Sequence, residues 1–265
     1  MTERLDSAVA ARGLARSRTH AAQLIAEGLV SIDGVPVVKA STPVADHQSV
    51  TVAGADHYVS RAAHKLIAAL DSFGVTVEGR LALDVGASTG GFTQVLLERG
   101  ARQVIALDVG HGQLAESVRV DPRVIVLEGV NARYLDVDEL AAASGVTDRA
   151  DLVVADLSFI SLTTVLPALV PVAEVGADFV LLVKPQFEVG RTGIREGIVR
   201  DAALREDAVT GVLWSAWDLG LRTAGVMRSP IAGGAGNVEY LVHVSAAAGS
   251  SPSEWRDAVH EATTP

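Results

Sequence analysis

Short apolar runs alternate with amphipathic segments from about residue 58 to the end of the chain. This alternation is typical of parallel strands that are joined by helices. The pattern predicts strands near 81–85, 104–108, 124–127, 151–155, 179–184, 222–227 and 238–245, and helices at 61–72, 91–99, 112–118, 162–172, 201–219 and 253–262. We therefore expect an α/β fold with a doubly wound, mostly parallel sheet whose last two strands form an antiparallel edge.

The first 53 residues follow a different pattern. Helices are predicted at 5–11 and 18–27, with Ser17 as the N-cap of the second helix. Strands are predicted at 29–32, 35–38 and 50–52, and the turn Asp33-Gly34 joins the first two strands. This layout predicts a small α+β domain over residues 1–53, a linker over 54–60 and the larger α/β domain over 61–265.

Composition restricts the possible classes of protein. The chain has 265 residues, of which 49% are hydrophobic, so it can form one large core and one small core. Cysteine is absent, which excludes disulfides and cysteine metal sites, and no metal site is predicted. We expect a cytoplasmic protein without a secretion signal or a membrane span, because Pro167, Pro171 and Glu174 interrupt the longest apolar region.

The net charge is −10, which by itself argues against a nucleic-acid partner. Charge over the whole chain is a poor guide to a local surface, however, and seven basic residues lie in the first quarter of the sequence: Arg4, Arg12, Arg16, Arg18, Lys39, Arg61 and Lys65. The charge distribution therefore permits contact with a nucleic acid but does not demand it.

A glycine-rich turn is the most informative motif. Residues 84–93 read Asp-Val-Gly-Ala-Ser-Thr-Gly-Gly-Phe-Thr, directly after a predicted buried strand. They lack the lysine of a phosphate-binding P-loop and the second glycine of the dinucleotide pattern. What remains resembles the nucleoside-binding turn of S-adenosylmethionine-dependent methyltransferases, the alternative being a glycine-rich connection without a ligand. The predicted cofactor contacts of this turn are Asp84, Gly86, Ser88, Gly90 and Gly91.

A second signal for the same cofactor lies one strand further on. Asp108 stands at the carboxyl end of the strand predicted at 104–108. In a doubly wound sheet, a carboxylate about 20 positions beyond the glycine turn can accept hydrogen bonds from both ribose hydroxyls of a nucleoside. Taken alone, Asp108 would more simply be a surface residue at a strand end. Together with the turn, it is predicted to bind the cofactor.

The methyl acceptor can be narrowed by elimination. Methylation of pyrimidine carbon 5 by the usual route requires a cysteine nucleophile, which is absent. The Asn/Asp-Pro-Pro-aromatic motif that engages exocyclic amines is also absent. A ribose 2′-hydroxyl remains, and it requires a nearby base. A lysine can serve if a second lysine and burial lower its pKa while carboxylates hold it in place. Lys65, Asp156, Lys184 and Glu239 supply such a set, although Lys65 alone would be an ordinary surface residue.

The order Lys65, Asp156, Lys184, Glu239 resembles the K-D-K-E tetrad of the FtsJ-like ribose 2′-O-methyltransferases. The strings at 58–66, 84–93, 156–162, 184–190 and 236–240 are similar to the TlyA branch of that family, and the similarity covers essentially the whole chain. The resemblance implies a Rossmann-like methyltransferase that uses S-adenosylmethionine to methylate cytidine 2′-hydroxyls in ribosomal RNA, with capreomycin susceptibility as a consequence. The residues before Gly13 and after Ala246 resemble the longer form, which acts on both ribosomal subunits.

The resemblance also implies a role for each residue of the tetrad. Lys184 would be the base or the group nearest the hydroxyl, and Asp156 would orient it beside the methyl donor. Lys65 and Glu239 would position the ribose. Phe159 would pack on the cofactor, with a core aromatic residue as the alternative.

The amino-terminal layout resembles the S4-type RNA-binding domain, on the strings 15–22 and 29–34. The resemblance implies that basic side chains of this domain face structured RNA, whereas the alternative is a solvated helical face. The predicted RNA contacts are Arg4, Arg16, Arg18 and Lys39, then Arg61 at the domain junction, and Arg133 and Arg191 beside the catalytic site. The junction reads Asp56-His57-Tyr58-Val59 where the family carries Arg-x-Trp-Val, which puts a role of this segment in cofactor binding in doubt.

Two other classes of function compete with this interpretation. Members of the branch are also labelled haemolysins, but the chain offers no segment suited to leave the fold and enter a membrane. A catalytically silent ribosome-binding protein is the second alternative, and the intact tetrad argues against it. The expected partner is ribosomal RNA within ribosomal subunits, and no obligate protein partner is evident.

Overall fold

The computed structural model describes residues 2–15, 17–52, 57–190, 197–233 and 236–264. The chain divides into two compact units, Met1–His57 and Tyr58–Pro265. Of the linker predicted at 54–60, residues 54–56 lie outside the described residues. Tyr58 and Val59 belong to the second unit, where the Tyr58 hydroxyl donates to Glu98 and the Val59 N–H donates to Gln94.

The amino-terminal unit is a small α+β domain with two helices, α1 (Leu5–Ala11) and α2 (Arg18–Ala26). Its strands are β1 (Thr2–Arg4), β2 (Val30–Ile32), β3 (Val35–Pro36), β4 (Pro43–Ala45) and β5 (Val50–Val52). They form a sheet of order β3-β2-β5 and a separate β1–β4 pair. The pair escapes prediction because Thr2-Glu3-Arg4 has no apolar residue and is joined to β4 through its backbone.

The local signals in this unit are confirmed. The Ser17 hydroxyl accepts from the His20 N–H at 3.2 Å, so it caps α2. Asp33 and Gly34 have φ of 50° and 83°, the positive values that a two-residue hairpin turn requires. The core of the unit is the buried cluster Leu5, Ala8, Val9, Ala21, Ile25, Val30 and Val44.

The carboxyl-terminal unit is a seven-stranded sheet covered by helices. Its strands are β6 (Leu81–Val85), β7 (Gln103–Asp108), β8 (Val124–Glu128), β9 (Ala150–Ala155), β10 (Ala173–Val183), β11 (Arg222–Arg228) and β12 (Tyr240–Ser245). Its helices are α3 (Ala63–Phe73), α4 (Gly91–Glu98), α5 (Glu116–Arg119), α6 (Val137–Ser144), α7 (Leu162–Val172), α8 (Pro185–Glu188), α9 (Ala202–Asp218) and α10 (Arg256–Thr263). The predicted α/β class is therefore confirmed.

The strand order is β11-β12-β10-β9-β6-β7-β8. Strands β8, β7, β6, β9 and β10 are parallel, and β12 is antiparallel to both β10 and β11, as the sequence predicts. The chain runs outward from β6 in one direction and from β9 in the other, so β6 and β9 flank the topological switch point. In open α/β sheets, ligands bind at the carboxyl ends of the strands beside this point.

Successive residues of the strands face opposite sides of the sheet. Leu83, Leu107 and Phe179 pack in a core with α7 and α9, whereas Ala82 and Val104 pack in a second core with α3 and α4. Because both faces are covered, the central strands are mostly apolar rather than alternating, and the sequence therefore predicted their existence.

Two predicted elements of the carboxyl-terminal unit are wrong in extent, and one helix was missed. The helix predicted at 112–118 begins four residues late, as α5, after a loop in which the Gly110 N–H donates to Asp108. The strand predicted at 179–184 begins at Ala173, six residues early, because Ala173 pairs with Ala150 of β9, with a register shift between this pair and the pair Asp178–Leu152. Helix α6, capped by Asp136, is not among the predicted elements.

Candidate active site

The site begins at the turn that leaves β6. Gly86 has φ of 84°, and a Cβ there would lie 2.7 Å from the backbone carbonyl oxygen of Asp156. Gly90 has φ of 97°, and its Cβ would lie 2.8 Å from the Leu114 side chain. Both positions therefore require glycine, for the dihedral angle and for the space. The Gly86 backbone thus lies close to the Asp156 backbone, at the point where the carboxyl ends of β6 and β9 meet beside the switch point.

Asp108 ties this turn to the end of β7. One carboxylate oxygen accepts from the Ser88 N–H at 2.8 Å, and the other accepts from the Gly110 N–H at 2.7 Å. Each oxygen has a further lone pair, so the carboxylate can still accept hydroxyl donors of a ligand. The arrangement fits the predicted role of Asp108 toward a ribose.

A cavity of about 500 Å³ opens beside these groups, within the size range of small-molecule sites. It is lined by Gly86, Ser88, Leu107, Asp108, Val109, Gln113, Val130, Asn131, Ala132, Asp156, Leu157, Ser158, Phe159, Ile160 and Val165. Five predicted cofactor residues are in this set: Gly86, Ser88, Asp108, Asp156 and Phe159. The mostly apolar wall with a few polar groups at one side suits a nucleoside.

A second cavity, of about 170 Å³, adjoins the first and shares Gly86, Ser88, Asp156 and Ser158 with it. Its other lining residues include Ser60, Gly91 and Lys184. Among the described residues, Asp84 and Gly90 line neither of these two cavities. Their positions indicate that Asp84 and Gly90 stabilise the turn and do not contact a ligand directly.

Asp84 is completely buried beneath the turn. One oxygen accepts from the Thr93 hydroxyl at 2.6 Å, and the other has no hydrogen-bond partner among the described residues. Burial, which outweighs the hydrogen bond from Thr93, raises the pKa of Asp84 to about 7.

The protein is expected to lose stability as pH rises because of Asp84. An aspartate titrates near 3.9 in the unfolded chain, but Asp84 titrates at about 7 in the folded protein. Between these values the folded state binds more protons, so the free energy of unfolding falls with rising pH, by on the order of a few kcal/mol in total. Asp84→Asn resembles the neutral carboxyl and should remove this decline. Chemical denaturation from about pH 4 to pH 8 measures it, and parallel pH profiles of the two proteins would contradict the assignment.

The four residues of the predicted tetrad form one connected cluster, and two of them, Asp156 and Lys184, line the second cavity. The Lys184 Nζ lies 2.6 Å from one carboxylate oxygen of Asp156, and the Lys65 Nζ lies 4.0 Å from the other. Lys65 also donates to Glu239 at 2.5 Å. Asp156 thus bridges two lysines that come from α3 and from the end of β10. Lys65, Lys184 and Glu239 are 5%, 9% and 3% exposed, so the ordinary surface role considered for Lys65 is wrong.

Ser158 is a site residue that the sequence analysis did not single out. Its hydroxyl accepts from the Lys184 Nζ at 2.8 Å, and it lines both cavities. The available signal is its position two residues after Asp156, because side chains at i and i+2 of extended backbone share a face. Gln113, Asn131 and Leu157 line the larger cavity and were also missed.

Hydrogen bonds join the segment after Asp156 to the segment after Lys184. Beyond the bond from Lys184 to Ser158, Glu188 accepts from the Ser161 hydroxyl at 2.5 Å and from the Leu162 N–H at 2.8 Å. Burial raises the pKa of Glu188 against the opposing effect of these bonds. Glu188 therefore caps α7 and fixes the connection between the two strand ends that carry Asp156 and Lys184.

Phe159 projects from the segment that follows Asp156. It has φ of 66°, which is rare for a residue other than glycine, and its side chain is 92% exposed. Its ring lies 5.3 Å from the Phe187 ring. Phe159 borders the larger cavity, and its exposure excludes the alternative of a core aromatic residue.

The structure places the predicted RNA-binding residues separately in each unit. In the amino-terminal unit, Arg4 and Arg18 converge on Asp6, and Lys39 is exposed. In the other unit, Arg61 is exposed before α3, and the exposed Arg133 lies over the Tyr134 ring beside the larger cavity. Arg16 and Arg191 lie outside the described residues.

Comparison with known proteins agrees with this geometry. The model of the FtsJ-like methyltransferases matches residues 58–246, and the model of the S4 domain matches residues 3–50. The chain belongs to the FtsJ-like methyltransferase family.

Relatives of this family align over nearly the whole chain. The 16S/23S rRNA (cytidine-2′-O)-methyltransferase TlyA of Mycobacterium tuberculosis is 52% identical over 98% of this chain and 96% of its own. Hemolysin A of Brachyspira hyodysenteriae is 39% identical over 91% of this chain and 98% of its own. The structure of a hemolysin-named protein from Streptococcus thermophilus has a TM-score of 0.77, with 37% identity over 98% of this chain and 95% of that one. Methyltransferase and hemolysin names thus occur within one family.

Proposed function

We propose that this protein methylates the 2′-hydroxyl of cytidines in ribosomal RNA, in both ribosomal subunits, with S-adenosylmethionine as methyl donor. The observation that carries the proposal is the convergence of Lys65, Asp156, Lys184 and Glu239 beside a nucleoside-sized cavity. The 52% identity to the TlyA methyltransferase supports the same substrate. In keeping with that substrate, we place the protein in the cytoplasm and expect capreomycin susceptibility to depend on its activity.

The residues of the larger cavity fit S-adenosylmethionine. Gly86 leaves the space that a Cβ would fill, Asp108 presents carboxylate oxygens, and Leu107, Val109 and Val130 supply apolar surface. The nucleoside would lie there, with its ribose hydroxyls toward Asp108. When bound, the cofactor supplies an electrophilic methyl group on a sulfonium sulfur.

Lys184 is the group placed to handle the acceptor hydroxyl. Asp156 and Ser158 engage the Nζ atom from two directions, which orients the amine and leaves its third direction for the ribose. With S-adenosylmethionine bound, Lys184 would take up the proton that the 2′-hydroxyl gives up as its oxygen is methylated. The Lys65–Glu239 pair lies on the other side of Asp156, where the Lys65 Nζ is 4.0 Å from the second carboxylate oxygen and helps to hold that carboxylate in place.

Methyl transfer to ribosomal subunits tests the proposal. Purified protein, labelled S-adenosylmethionine and separated subunits from cells that lack the enzyme should give labelled RNA, and mapping should place the methyl group on cytidine 2′-oxygens. A catalytically silent ribosome-binding protein would bind the subunits without labelling them. A membrane-active protein would instead permeabilise vesicles; no helix within the described residues combines the length and apolarity needed to cross a bilayer.

RNA docking through the amino-terminal unit is tested by removing charge. The double change Arg4→Ala and Arg18→Ala is expected to weaken rRNA binding and to reduce the dependence of log affinity on log salt by roughly two, because each phosphate contact contributes about one. Arg102→Ala, an exposed arginine paired with Asp148 at the amino end of β7, is the matched control. If both variants bind with the wild-type affinity and salt dependence, these arginines do not dock RNA.

A further inference from the structure

Asp6 is a nearly buried carboxylate among the basic residues of the amino-terminal unit, and it is 7% exposed in the first turn of α1. Arg4 grips it with two hydrogen bonds, from Nε to Oδ1 and from a terminal nitrogen to Oδ2, each of 3.0 Å. Arg18, the first residue of α2, donates to the same Oδ2 atom at 3.2 Å. One carboxylate therefore holds two arginines that come from different elements.

The shared oxygen fixes the spacing of the two guanidinium groups. Groups that bond the same atom lie only a few ångströms apart, yet Arg4 and Arg18 remain 52% and 60% exposed. A guanidinium offers five N–H donors, and each arginine uses only one edge on Asp6. The hydrogen bonds from Arg4 and Arg18 lower the pKa of Asp6 to about 2, so the carboxylate is charged near neutral pH.

We propose that Asp6 is a positioning residue that organises Arg4 and Arg18 into a preformed clamp for backbone phosphates of structured RNA. The inference rests on the proposed function, because it assumes that these arginines meet RNA. Planar arginine forks recognise phosphate oxygens with two parallel hydrogen bonds, and this geometry requires that the fork be held in place. Asp6 supplies the constraint in the free protein, before RNA arrives.

Simple electrostatics predicts the opposite effect of Asp6. A negative charge among arginines lowers the positive potential that attracts RNA, so its removal would tighten binding. In the clamp, the gain in affinity from holding the two arginine side chains in place exceeds the loss from the negative charge of Asp6. Each long side chain that must be ordered on binding costs roughly two- to tenfold in affinity. Removal of Asp6 would leave two arginines to be ordered.

The decisive measurement compares two variants that each lose one negative charge. Asp6→Asn in the intact protein is expected to weaken binding to an rRNA fragment on the order of tenfold. Glu3→Gln removes an exposed carboxylate from the neighbouring strand β1 and is expected to leave affinity within about twofold of wild type or to tighten it. In an Arg4→Ala, Arg18→Ala background, Asp6→Asn should no longer weaken binding, because no clamp remains to be lost.

The outcomes separate the clamp from the docking proposal. If the double arginine variant binds RNA normally, docking through this surface fails and the clamp fails with it. If the double variant is weak but Asp6→Asn binds as tightly as Glu3→Gln, only the clamp is overturned. Thermal unfolding verifies the fold of Asp6→Asn. Should that variant unfold, Asp6→Glu decides, because it keeps the charge but displaces the carboxylate: weaker binding supports the clamp, and wild-type binding overturns it.

Discussion

Lys184→Ala is expected to lower the turnover of methyl transfer by roughly 10²- to 10⁴-fold, the usual effect of losing a general base. Affinity for S-adenosylmethionine and for the ribosomal subunit should stay near the wild-type values, because Lys184 lies in the smaller cavity with Asp156 and Ser158 rather than along the nucleoside cavity. Single-turnover methylation, together with calorimetry for the cofactor, measures both effects.

Three controls identify the step that Lys184 serves. Lys184→Arg should be nearly as inactive as the alanine variant, because arginine stays protonated and cannot accept the hydroxyl proton. Ser158→Ala keeps the amine and removes one hydrogen bond to it, so a smaller loss of roughly tenfold is expected. RNA with a 2′-deoxy target should not be methylated. Methylation of deoxy RNA, or wild-type turnover by Lys184→Ala, would make a base nitrogen the more credible acceptor.

Gly86→Ala is expected to weaken S-adenosylmethionine binding at least about tenfold, a loss of about 1.4 kcal/mol or more. The new Cβ would lie 2.7 Å from the backbone oxygen of Asp156, so the ends of β6 and β9 must move apart. Gly79→Ala is a well-matched control. Its φ of 76° strains alanine in the same way as the 84° of Gly86, but no atom lies within 4 Å of the added Cβ.

The comparison separates backbone strain from loss of the site. Both variants are expected to lose stability from the positive φ, as thermal unfolding will show, but only Gly86→Ala should also lose cofactor affinity in calorimetry. Equal cofactor affinity in Gly86→Ala and Gly79→Ala would show that the turn does not cradle the cofactor. RNA binding should be unaffected in both.

Much of the fold could be predicted from the sequence because most of its strands and helices are specified by residues that are close together in the chain. The central strands are mostly apolar and are buried on both faces, and three of the helices, α6, α7 and α9, have a side-chain N-cap. The errors in the strands occur where pairing with a neighbouring strand overrides the local pattern. Strand β10 extends back to Ala173 because β9 offers its backbone hydrogen bonds, and β1 exists because β4 pairs with it.

The residues of the candidate site likewise fall into those that the sequence predicts and those that only the fold reveals. Residues at strand ends, such as Asp108, Asp156 and Lys184, could be proposed from sequence because carboxyl ends of parallel strands share one edge of the sheet. Ser158 and Glu188 could not be proposed from sequence. Their roles depend on contacts that only the fold creates, between Ser158 and Lys184 and between Glu188 and the start of α7.

The sequence by itself determined the α/β class, the glycine turn, the tetrad order and the S4-like layout, because each depends on residue type and spacing along the chain. Only the tertiary structure decided which groups share an oxygen atom or a cavity. It showed that Asp156 bridges two lysines, that Asp6 joins two arginines and that Asp84 lies buried beneath the turn. The physical reason is that contact and solvent exclusion depend on distances between segments, which sequence spacing does not specify.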